Sequence, residues 1–102
     1  MNSTHVLKVD GLRKAFRDEV KEIIQNVLTT MLNHSEKVTV TYEVGTKTTV
    51  FKVDCHPEDY GQLLGKQGRN IEGIRRITVA MMAKYGCRAI VEVPYIKKNL
   101  ES

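Results

Sequence analysis

The chain has 102 residues, 41% hydrophobic and 27% charged, with a formal net charge of +4 at pH 7. That length supports one domain burying roughly two thirds of its unfolded surface. No apolar run approaches the ~20 residues that cross a bilayer. The opening Met1-Asn2-Ser3-Thr4-His5 lacks the basic and apolar regions of a signal peptide, and the two cysteines are fewer than a disulfide-stapled secreted domain carries. A cytoplasmic protein without membrane association is expected.

Residues 1–10 read as an irregular extension, with a short extended piece at Val6-Leu7-Lys8-Val9. Asp10 is placed to cap a helix from about Leu12 to Leu32. Within it Leu12, Phe16, Val20, Ile23, Ile24, Val27, Leu28 and Met31 recur at three- and four-residue steps, which predicts one buried stripe. After Asn33-His34-Ser35 the period changes to two. Val38, Val40, Tyr42 and Val44 alternate with Thr39, Thr41 and Glu43, marking a half-buried strand. The turn Gly45-Thr46-Lys47 leads into a second strand, Thr48 to Cys55, so the pair reads as a hairpin.

His56-Pro57-Glu58-Asp59 is a helix start, with Pro at the first helical position and acids in the first turn. That helix ends near Leu64, where a glycine loop interrupts it. A further helix spans about Gly68 to Tyr85, with Ile71, Ile74, Thr78, Met81, Met82 and Tyr85 on one face. Gly73 inside it costs on the order of 1 kcal/mol against Ala, and marks a close contact either within the domain or with another subunit. Gly86 ends this helix, and a strand from Cys87 to Val93 stops at Pro94. The folded domain is therefore placed at 11–95, with 96–102 as a tail.

The stretch with chemical character is Leu63-Leu64-Gly65-Lys66-Gln67-Gly68-Arg69-Asn70-Ile71. Two glycines flanking two polar residues allow positive φ and leave no side chain to hold a nucleic-acid backbone away. A helix starting at Gly68 adds unpaired N–H groups and the positive end of its dipole, which together attract a phosphate. From Leu63 to Arg88 six basic residues (Lys66, Arg69, Arg75, Arg76, Lys84, Arg88) stand against one acid, Glu72. A positive window beside such a loop suggests a polyanion partner.

Other chemistries are poorly served. His5, His34 and His56 form no ligand spacing with Cys55 and Cys87, so no metal or cofactor is expected. Both cysteines fall on the apolar side of an expected strand and read as small buried residues. Asp54, His56 and Asp59 cluster in sequence, but a strand end and a helix cap account for them, so no catalytic residue is assigned.

The order α-β-β-α-(Gly-x-x-Gly)-α-β resembles the K-homology (KH) domain in its bacterial type II arrangement, and specifically the small stand-alone KH proteins of the KhpA kind. The resemblance runs from about Val20 to Val93 and is most specific over Pro57-Glu58-Asp59-Tyr60-Gly61-Gln62-Leu63-Leu64-Gly65-Lys66-Gln67-Gly68-Arg69. It implies an α+β fold, a three-stranded mixed sheet with the helices on one face. It also implies single-stranded RNA in a groove beside the loop, which clamps about four nucleotides of backbone.

Carried over, Gly65, Lys66, Gln67 and Gly68 are the clamp, and Leu63, Leu64 and Ile71 are candidates for an apolar floor beneath the bases. Arg69 and Asn70 sit in the first turn, with Arg75 and Arg76 further along the helix. With 6% aromatic residues and no tryptophan, only Tyr60, Tyr85 and Tyr95 are candidates for stacking, so backbone capture with weak base preference is expected. Two functions remain open: a low-specificity RNA chaperone or post-transcriptional regulator, and a protein-protein interaction module. A homodimer, or a heterodimer with another KH protein, is the expected assembly.

Overall fold

The computed structural model describes the backbone of residues 3–94 and the side chains of residues 11–94. Helix α1 (Ser3–Met31) leads through a 3-10 turn at Ser35–Lys37 into β1 (Thr39–Val44) and β2 (Thr48–Asp54). A second 3-10 turn at Pro57–Asp59 opens α2 (Tyr60–Leu64), the loop follows, and α3 (Arg69–Ala83) and β3 (Arg88–Glu92) complete the order. Strands β1 and β2 pair antiparallel, placing Tyr42 opposite Phe51, while β3 runs parallel to β2 with Val91 beside Phe51. A parallel pair needs a crossover long enough to return the chain to the end of the sheet where the first strand began. The α2-loop-α3 segment is that crossover, so the loop sits at one end of the sheet because the topology requires a connection there.

The result is an α+β fold with a three-stranded mixed sheet in the order β1-β2-β3. Period-two alternation places Val40, Phe51, Val53 and Val91 in the core, while Thr41, Glu43, Asp54 and Glu92 are exposed. The helices cover the buried face with Val20, Ile24 and Leu28 from α1, Leu63 from α2, and Ile71, Thr78 and Met82 from α3. Thr78 is wholly buried, and its hydroxyl donates to Ile74 O at 2.8 Å, so the polar atom is satisfied inside the helix.

Three expectations are corrected. Residues 3–10 are helical rather than extended, so α1 runs unbroken through Asp10, which lies inside it and does not cap it. Once a helix exists, each added residue gains a hydrogen bond without a new nucleation cost, and Gly11 is tolerated at about 1 kcal/mol. The single stripe on α1 is also too simple: Leu12, Ile23 and Val27 are exposed. Finally, the cysteines lie just outside the strands. Cys55 is buried, and burial, followed by the nearby Asp59 and Asp54 charges, pushes its thiol up. Cys87 is half-buried in the turn before β3. Tyr95 and the tail 96–102 lie outside the described residues.

Candidate nucleic-acid interface

Between α2 and α3 the backbone passes through a left-handed turn. Gly65 has φ +77° and ψ 173°, Gln67 has φ +58° and ψ 26°, and Gly68 has φ +73° and ψ 16°. The Gly65 N–H donates to Gly61 O at 2.8 Å and the Gly68 N–H to Gly65 O at 3.0 Å, so the turn is closed by its own backbone. Lys66 and Gln67 are thereby left exposed at the tip. No side chain caps α3, whose N-cap is Gly68. An anion approaching the tip meets a lysine, an uncapped helix start and no side-chain barrier at Gly68.

The remaining named residues divide by what they touch. Arg69 Nη2 donates to Gln67 Oε1 at 3.2 Å, folding its guanidinium back over the loop. Asn70 turns inward: Nδ2 donates to Gln62 O at 2.9 Å, tying the start of α3 to the end of α2. A Cβ on Gly65 would lie 2.5 Å from Asn70 Cγ, so Asn70 braces the loop from behind. Arg75 Nε donates to Val91 O at 3.3 Å and so lies against β3, whereas Arg76 points outward and pairs with Glu72 at 3.5 Å. Both line a cleft of about 470 Å³ with Gln67, Arg69 and Glu72.

Leu63 is a correction: 0% exposed, it belongs to the core and offers no surface to a base. Ile71 is packed in the core at 4% exposed, and its remaining surface lines the same cleft as Arg69, Arg75 and Arg76. Leu64 is half-buried at the rim. The stacking candidates fare similarly: Tyr60 packs on the core, and Tyr85 lies against Phe16 at 3.9 Å between ring centres, at the far end of α3. Among the described residues no tyrosine, phenylalanine or tryptophan ring stands free beside the loop. Sequence reasoning counted Glu72 as the one acid of the basic window but did not place it inside the cleft, and it missed the inward role of Asn70. Helical spacing placed Glu72 near Arg76, but only the tertiary path of β3 separated Arg75 from it.

The structure also joins two distant histidines. His34 and His56 stack at 3.9 Å with an interplanar angle of 13°, and with Glu58 they bring ligand-type atoms within 4.8 Å of one another. An ion accepting both lone pairs must lie in both ring planes, which stacked, nearly parallel rings do not allow. The ring nitrogens serve the turn instead. The Glu58 N–H donates to His56 Nδ1 at 3.0 Å, and His34 Nδ1 lies 3.2 Å from Asp59 Oδ2. The His34 N–H also donates to Asp59 at 2.8 Å. Burial alone would raise the Asp59 carboxyl, but the His34 N–H, the His34 ring and the Asn33 N–H together hold it below its ordinary value.

Two helices joined by a Gly-x-x-Gly turn across a three-stranded mixed sheet, in the order α-β-β-α-α-β, define a type II KH domain. The description of the KhpA/KhpB KH domain matches residues 21–93, and the chain belongs to that family. The RNA-binding protein KhpA of Aquifex aeolicus is 32% identical over 74 residues, covering 72% of this chain and 94% of that protein. Its namesake in Clostridium perfringens is 28% identical over 72% of this chain and 99% of its own length. The Chlamydia pneumoniae protein of that name is 26% identical over 72% and 95%.

Proposed function

We propose that the chain binds single-stranded RNA at the Gly65–Gly68 turn and acts, without catalysis, as a low-specificity RNA chaperone or post-transcriptional regulator in the cytoplasm. The observation that supports this most directly is the loop itself. A turn closed by its own backbone leaves Lys66 and Gln67 exposed beside the start of α3, which no side chain caps. The relatives named as RNA-binding proteins support the choice of polyanion. Lys66 and Arg69 engage phosphates, and Arg75 extends the contact along β3. The absence of a free ring beside the loop among the described residues favours backbone capture over base reading.

The test is the double substitution Lys66→Asp, Gln67→Asp. Both side chains are exposed, and aspartate tolerates the left-handed φ of Gln67. The variant should keep the wild-type melting curve and lose RNA binding in a fluorescence anisotropy titration. Normal folding with near wild-type affinity would remove the loop from the mechanism.

A second reading, assembly with another copy or another KH protein, is favoured by a different cleft. Ile23 and Val27 of α1 face Gly73, Ile74, Ile77 and Met81 of α3 across a largely apolar cleft of about 310 Å³. Gly73 has nothing within 4 Å of the position a Cβ would take. The close contact expected there from the sequence is therefore not made within the domain, and a second subunit is the remaining candidate.

A further inference from the structure

A second group of positive charges lies at the far end of α3 from the loop. Arg13 and Arg17 of α1, Lys47 of the β1–β2 turn and Arg88 at the start of β3 surround a cleft of about 360 Å³. The parallel register brings these elements together by setting Thr48 beside Arg88, and the Arg88 N–H donates to Lys47 O at 3.3 Å. Arg17 is held by one bond, Nε to Thr49 Oγ1 at 3.1 Å. Thr49 is 2% exposed, so this guanidinium is anchored on the core, and the bond leaves its two terminal nitrogens free for a ligand.

No acid lines this cleft, and among the described residues none of the four cations has a carboxylate within 4.0 Å. The loop cleft differs, since Glu72 lies in it and pairs with Arg76. Four like charges around one cavity repel, and a bound anion relieves that repulsion. The walls add the hydroxyls of Thr46 and Thr48 and the turn glycines Gly45 and Gly86, a polar lining suited to sugar and phosphate. Guanidinium forks match phosphate oxygens two at a time.

We infer that this cleft is a second phosphate-binding station, for the backbone of the same RNA strand whose other end is held at the loop. The inference rests on the RNA-binding reading of the loop. Helix α3, 15 residues long, separates the two sites, a span of about 22 Å. A strand longer than the about four nucleotides clamped by the loop runs past Arg75 and Arg76 toward the far cleft. The lone loop then gains affinity from RNA length, because the second contact is intramolecular.

The test compares an oligonucleotide of about five nucleotides, matched to the loop, with one of about fifteen. The proteins are wild type, Lys47→Glu/Arg88→Glu and the milder Lys47→Ala/Arg88→Ala. Arg17 is left intact because it supports Thr49, and melting curves confirm folding. The wild type should bind the longer RNA at least about tenfold more tightly, and both variants should lose that gain while binding the shorter RNA unchanged. Two lost phosphate contacts should lower the salt slope for the longer RNA by about 1.4. A length gain that survives both variants comes from two loops of an assembly on one strand and overturns the inference. The loop reading fails separately, if short-RNA binding survives Lys66→Asp/Gln67→Asp.

Discussion

Gly65 and Gly68 flank the same turn at nearly the same φ, yet they tolerate substitution differently. At Gly65 the combination of φ +77° and ψ 173° lies in a region essentially reserved for glycine, and Asn70 occupies the space a Cβ needs. At Gly68 the backbone is ordinary left-handed helix, with nothing within 4 Å of the missing Cβ. Gly65→Ala should therefore cost roughly 3 kcal/mol, and Gly68→Ala about 1 kcal/mol. Urea denaturation of the two variants checks this, and equal midpoints would mean that Asn70 moves aside freely. The sequence flagged both glycines alike. What distinguishes them is a side chain five residues beyond the first, whose inward rotamer follows from its bond to Gln62 O.

At the scale of elements, α1 and α3 each carry more apolar surface than the sheet can cover. One arc of α1 (Val20, Ile24, Leu28) is buried, while the neighbouring Ile23 and Val27 are 39% and 42% exposed. On α3, Ile77 is 60% exposed and faces the same cleft. Hydrophobic periodicity identifies the helix and its mean buried direction, but the width of the buried arc depends on how closely the next helix approaches. Here α3 leaves the gap open at Gly73. Under the assembly reading, Ile77→Asp should convert a dimer to a monomer in sedimentation velocity. Its melting temperature should stay near that of the separated wild-type subunit, since exposed substitutions change stability by less than about 0.5 kcal/mol. A wild type that stays monomeric at every concentration would withdraw this reading.

For the molecule as a whole, Asp59 is one link that makes stability depend on acid, beside Asp18, whose carboxyl the Tyr42 hydroxyl and Lys14 also hold below its ordinary value. Its carboxylate, 1% exposed, accepts from the His34 backbone and ring and so ties the end of α1 to the entry of α2. Because the folded carboxyl sits below its ordinary value, folding favours the ionised form. That contribution is complete above the unfolded value, about pH 4, and is lost as pH falls through the lower folded one. Asp59→Asn should be less stable than wild type at pH 7, and the two should converge in acid below about pH 4. Urea midpoints measured from neutral to acid pH would show it; a constant gap would assign the linkage to other groups.

The element order, the hairpin, the crossover helices and the position of the Gly-x-x-Gly turn were all legible in the sequence, because each is written in local terms. Periods of two and near four mark strands and helices, and Gly, Pro and acids punctuate their ends. The start of α1 was not, since no local signal outweighs the gain from extending an existing helix. Tertiary structure alone decided where each candidate residue stands. It sent Leu63 and Ile71 into the core, turned Asn70 inward, set Arg75 on β3, and gathered Arg13, Arg17, Lys47 and Arg88 from three separate segments into one cleft. A side chain's neighbours are fixed by packing and strand register, and those arise from contacts between residues far apart in the chain.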